Sequence, residues 1–60
     1  MIEIDVCVYG YIYPNVEATN IREGLQMACT AYFEETGLKA KPEDEAVVWK
    51  ESYMYPYVWR

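Results

Sequence analysis

Apolar and polar positions alternate without a break from Ile2 to Tyr13. Ile2, Ile4, Val6, Val8 and Ile12 fall on one side, with Gly10 in the same register. Glu3, Asp5, Cys7, Tyr9, Tyr11 and Tyr13 fall on the other. Period two is the mark of a half-buried strand, because successive side chains leave the backbone on opposite faces. It predicts one strand over about 2–13, its aliphatic set in the core and Gly10 at a bulge or bend. Pro14-Asn15 then ends the strand and opens a turn.

The period next changes to that of a helix. Ile21, Leu25, Ala28, Cys29, Tyr32 and Phe33 recur at spacings of three and four and make one apolar stripe. Asn20 with Glu23 fits a capping box and Asn15 offers an earlier cap, which predicts a helix over about 16–36 starting between the two asparagines. Thr36-Gly37 is its stop, since glycine readily takes the left-handed conformation that ends helices. Lys39 to Glu45 reads as a polar connection ending in Glu43-Asp44-Glu45. Pro42 followed by three acids also suits the start of a short helical turn. From Ala46 onward Val, Trp and Tyr dominate, predicting strands over about 46–50 and 53–59 joined at Glu51-Ser52, with one long bent strand as the alternative. Pro56 suits an edge strand. The expected fold is α+β: a small β-α-β-β domain over 1–60, with one amphipathic helix packed on one face of a two- or three-stranded sheet.

Length and composition narrow the function. Sixty residues leave no room for a second core and little for a deep pocket. There is no His, and Ser52 is the single serine. Cys7 and Cys29 form no CxxC pair and are expected on opposite sides of the sheet as small apolar residues, without a basic neighbour to activate a thiolate. Glu43-Asp44-Glu45 matches no calcium loop, whose turn needs a glycine. The reading is a protein that is not an enzyme and uses no metal or cofactor. Acids at the N-terminus stand where a secretion signal carries positive charge, and no apolar run reaches the roughly 20 residues of a membrane span. The expected location is the cytoplasm, with no membrane partner.

Charge and aromatic content bear on partners. Ten acidic residues face five basic ones, a net charge of −5. This excludes a protein that grips nucleic acid by its phosphates, which needs a basic footprint. One helix covers only one face of a sheet. The other face is expected to carry Glu3, Asp5, Tyr9, Tyr11 and Tyr13, joined by Tyr53, Tyr55, Tyr57 and Trp59 from the C-terminal strands. Tyrosine gives large contact area at low entropic cost, so such a face suits a partner. It equally suits cross-strand pairing within a thin sheet. Carboxylates on several surfaces (Glu3, Asp5, Glu23, Glu34, Glu35, Glu43, Asp44 and Glu45) make a field that speeds encounter with a basic protein. Glu34 and Glu35 also sit in the last helical turn, against the helix dipole.

The acids at Glu3, Asp5, Glu34, Glu35 and Glu43 to Glu45, around an aromatic-rich β-α-β-β core, resemble the small acidic inhibitors encoded by bacteriophages and mobile elements. They resemble in particular anti-CRISPR proteins acting on type I effector complexes. The resemblance covers the whole chain, rests on no diagnostic motif and transfers no residue roles. It implies a protein that binds a Cas subunit, a basic nucleic-acid-binding protein, and blocks target-DNA engagement by presenting negative charge; the chain itself is expected as a monomer, with a homodimer as the alternative. Two other classes suit the same residues: a self-associating module that makes a homodimer through its aromatic face, and an antitoxin-like partner of a basic toxin.

Overall fold

The computed structural model describes residues 1–52. Its elements run β1 (Ile2–Val8), β2 (Tyr11–Ala18), α1 (Ile21–Thr36) and β3 (Val47–Glu51). The three strands form one antiparallel sheet in the order β2-β1-β3. The α+β class and the single helix on one sheet face are as the sequence predicts. The order is β-β-α-β rather than β-α-β-β, because the expected first strand is a hairpin. The strand expected over 53–59 lies outside the described residues.

The hairpin turns at Tyr9-Gly10, with Val8 opposite Tyr11. Both turn residues have positive φ, 49° and 90°, as a type I′ turn requires. Glycine tolerates this freely, whereas Tyr9 carries the strain of a left-handed side chain. A two-residue turn keeps the alternation of the sequence intact while reversing which parity faces the core. Tyr11 and Tyr13 therefore pair with Val8 and Val6 on the core face, and Ile12 pairs with Cys7 on the other face, 45% exposed.

Pro14-Asn15 does not end the strand. The register shifts between Ile4 and Val6, leaving Pro14 and Asn15 on β2 against Asp5 on β1, a β-bulge in which Asn15 has φ 58°. The extra residue flips the parity a second time. Val16 and Ala18 consequently return to the core face opposite Ile4 and Ile2, and Glu17 lands opposite Glu3 on the far face.

The helix starts at the later asparagine, five residues after the expected 16. Asn20 accepts from the backbone N–H of Glu23 at 2.8 Å. The return contact of the capping box goes one residue earlier than expected: Glu23 accepts from the Thr19 backbone N–H and hydroxyl at 2.7 and 2.8 Å. Gly37 closes the helix with φ 77° and donates its N–H to the Phe33 carbonyl at 2.7 Å.

The core joins Ile4, Val6, Val8 and Val47 of the sheet to Ala28, Cys29 and Tyr32 of the helix. The buried helix face is Gly24, Ala28, Cys29 and Tyr32, rotated from the expected stripe, so that Phe33 is 45% exposed. Gly24 sets the closeness of the two layers: a Cβ there would lie 2.7 Å from Ile4 Cδ1. β3 begins at Val47, where the Val47 N–H bonds the Asp44 carbonyl, and Ser52 leaves it bonded to the Glu3 carbonyl.

Candidate functional site

The carboxylates divide by what holds them. Asp5 is not a surface acid: it is 1% exposed, under the bulge. Its Oδ1 accepts from the Asn15 backbone N–H and from the Ser52 hydroxyl, both at 2.7 Å, tying β2 and the end of β3 to the central strand. Lys50 is its register partner on β3. Burial of a carboxylate is tolerated where donors meet it, which is why the bulge and Ser52 converge there. Asp5 is therefore removed from the expected partner-binding set.

Three more of the expected acids serve the fold. Glu23 caps the helix, and the Thr19 N–H and hydroxyl hold its carboxyl below the usual range. Glu35 accepts from the Tyr13 hydroxyl at 2.8 Å, which accounts for an acid at the wrong end of the helix dipole. Asp44 accepts from the Ala46 N–H at 2.9 Å and from the Tyr9 hydroxyl at 2.8 Å, and these two donors lower its pKa in that order. Both phenols respond in the opposite direction. The bond to Asp44 raises Tyr9, and Tyr13 is pushed up to about 12 by burial first and by Glu35 second.

Tyr11 and Tyr13 are not on the face away from the helix, and Tyr9 sits in the turn beside them. Tyr9 and Tyr11 meet buried Tyr32 edge to face, with ring centroids 5.4 and 5.1 Å apart. Tyr13 packs against the core beside them. The predicted tyrosine face is thus a cluster that seals the C-terminal half of the helix onto the hairpin. Tyr53 and Tyr55, with Tyr57 and Trp59, lie outside the described residues.

The exposed acids that remain are Glu3, Glu17, Glu34, Glu43, Glu45 and Glu51. Glu3 accepts from the Asn15 side-chain amide at 3.0 Å. It also stands directly opposite Glu17 on the face turned from the helix. Opposed like charges weaken a sheet, so this pair is costly to the fold. On the same face, Cys7 lies between Ile12 and Val48, both nearly half exposed. That face is acidic at one end and apolar at the other. Glu17 was missed in the sequence because its placement depends on the unrecognised second strand.

Clefts among the described residues border the helix. One, of about 390 Å³, has Ile2, Ile4 and Ile21 as apolar lining, Trp49 and Glu51 from β3, and Glu3 and Ser52 beside them. Another, of about 320 Å³, lies between the helix and the 39–41 segment, with Cys29, Phe33, Lys39 and Lys41 among its lining. The Cys29 thiol is pushed up, first by burial and then by the charges of Glu43 and Asp44, which disfavours the nucleophilic thiolate. Cys7 and Cys29 are both free, on opposite sides of the sheet. Among the described residues no group of three or more potential metal ligands gathers, and no helix is long and apolar enough to cross a membrane.

No protein-family model, no curated protein and no solved structure matches this chain.

Proposed function

We propose that this chain is an acidic docking protein that occupies the basic, nucleic-acid-binding surface of another protein. Following the resemblance drawn from its sequence, that partner is a CRISPR effector subunit whose target-DNA binding it blocks. The observation that carries the reading is the surplus of exposed carboxylates that have no structural task among the described residues. Glu17, Glu34, Glu43, Glu45 and Glu51 stand exposed while Asp5, Glu23, Glu35 and Asp44 hold the fold together. Glu3 and Glu17 are also directly opposed on the face turned from the helix, which concentrates negative charge there at a cost to the sheet. The acids steer approach to a basic surface, and apolar groups between them supply contact area.

The test is capture by the tagged full chain from a lysate of a CRISPR-bearing bacterium at low salt, with retained proteins identified by mass. The expected catch is a nucleic-acid-binding protein that excess duplex DNA displaces. An empty catch, or equal retention by a Glu34→Lys/Glu43→Lys/Glu45→Lys variant, overturns the reading.

A second reading has its own support. Exposed Ile12 and Val48 on either side of Cys7 offer a flat apolar band suited to a second copy of the chain. Sedimentation of Ile12→Lys against wild type at high concentration checks it: a dimer that the substitution dissociates favours self-association.

A further inference from the structure

We propose that the cleft beside Trp49 receives an arginine side chain from the partner protein. The proposal rests on the docking function above and names one of its contacts. On β3, Trp49 pairs with Val6 and Glu51 with Ile4, so both side chains leave the strand on the helix side. Alternate residues of a strand stand about 6.6 Å apart, which sets an aromatic face and a carboxylate side by side along one wall. Trp49 is 40% exposed, although a tryptophan on the core-facing side of a sheet ordinarily buries most of its indole. Ile2, Ile4 and Ile21 supply the cleft's apolar lining, with Glu3 and Ser52 also present, and its volume is about 390 Å³.

That combination matches one side chain. The methylene stem of arginine lies against isoleucines while its planar guanidinium stacks on an indole and forks to a carboxylate. Lysine offers no plane to stack and no fork, and a neutral apolar side chain leaves Glu51 unused. The sign of charge separates the two clefts. The cleft by Phe33 has Lys39 and Lys41 in its lining, whereas none of the described residues lining the Trp49 cleft is basic. Lys50 lies between Trp49 and Glu51 in sequence but points to the opposite face, as the register partner of Asp5. Glu3 also lines the cleft, where the Asn15 side-chain amide holds its carboxylate, and Glu51, on the same strand face as Trp49, is the acid beside the indole. A Trp–Arg contact that excludes water is the kind of anchor that dominates protein interfaces.

The experiment uses the full chain, with the Trp49 indole N–H followed by NMR and assigned from a Trp49→Phe variant. The probes are N-acetyl-arginine-N-methylamide and its lysine and norleucine counterparts. The arginine probe is expected to give a saturable shift that the other two do not match, and Glu51→Gln is expected to weaken it about fivefold. Equal response to all three probes, no response, or a Glu51→Gln variant that binds as wild type overturns the site. The outcomes separate this proposal from the docking function. A chain that displaces DNA from its captured target yet ignores arginine loses the cleft alone. A chain that binds arginine specifically but captures no protein keeps the cleft and loses the docking function.

Discussion

Asp5 and Tyr13 show how little a residue's type says about its task in so small a fold. Asp5 sits among acids in a sequence that reads as a polar strand face, and period two can report only which face a residue takes. What buries it is the bulge at Asn15, whose turned backbone N–H has the Asp5 carboxylate as its acceptor. Asp5→Ala is expected to cost about 1–3 kcal/mol in urea unfolding, because it strands that N–H and the Ser52 hydroxyl. Stability unchanged by the substitution would remove Asp5 from the framework. Tyr13 carries a pH prediction. Its phenol ionises near 10 in the unfolded chain and at about 12 when folded, so the folded state holds the proton more tightly. The stabilisation is complete below pH 10 and is lost as pH rises from 10 toward 12. Thermal melts across that range should show a decline that Tyr13→Phe makes shallower; equal slopes would deny Tyr13 the role.

At the scale of elements, the helix was legible because its signals are local. Asn20, Glu23 and Gly37 act through contacts within four residues, and each does so in the structure. The hairpin was not legible, because a two-residue turn leaves the alternation of apolar and polar positions undisturbed, and Tyr9 is a poor advertisement for a left-handed turn. The bulge then hid the second parity change behind Pro14, which reads as a stop. The turn alone moves Tyr11 and Tyr13 to the core face, and the bulge returns Val16 and Ala18 to it. Gly10→Ala is expected to lose about 1 kcal/mol in denaturant unfolding despite open space around it, since the cost is one of backbone conformation. Gly24→Leu tests a different cause. It forces the helix away from fully buried Ile4, at a cost of about 1–3 kcal/mol. Either variant matching wild type would show that turn geometry or layer spacing is less constrained than the fold implies.

For the molecule as a whole, the acids separate into a structural set and a surface set, a division that no spacing in the sequence discloses. Glu35 opposes the helix dipole, yet Tyr13 claims it; Glu34 beside it has no such task among the described residues. Charge reversal at Glu34, Glu43 and Glu45 therefore leaves the fold intact, and lysine at 34 even suits the last helical turn. The same reversal is expected to slow association with a basic partner and to flatten its dependence on ionic strength, as read by stopped-flow mixing at two salt concentrations. Identical rates and slopes would mean these acids serve solubility. The most direct measurement is DNA occupancy of the protein captured by the chain, titrated with wild type and with the triple variant. Wild type is expected to empty the DNA site, and the variant to do so only at much higher concentration. DNA occupancy that stays full at saturating wild-type chain would contradict it.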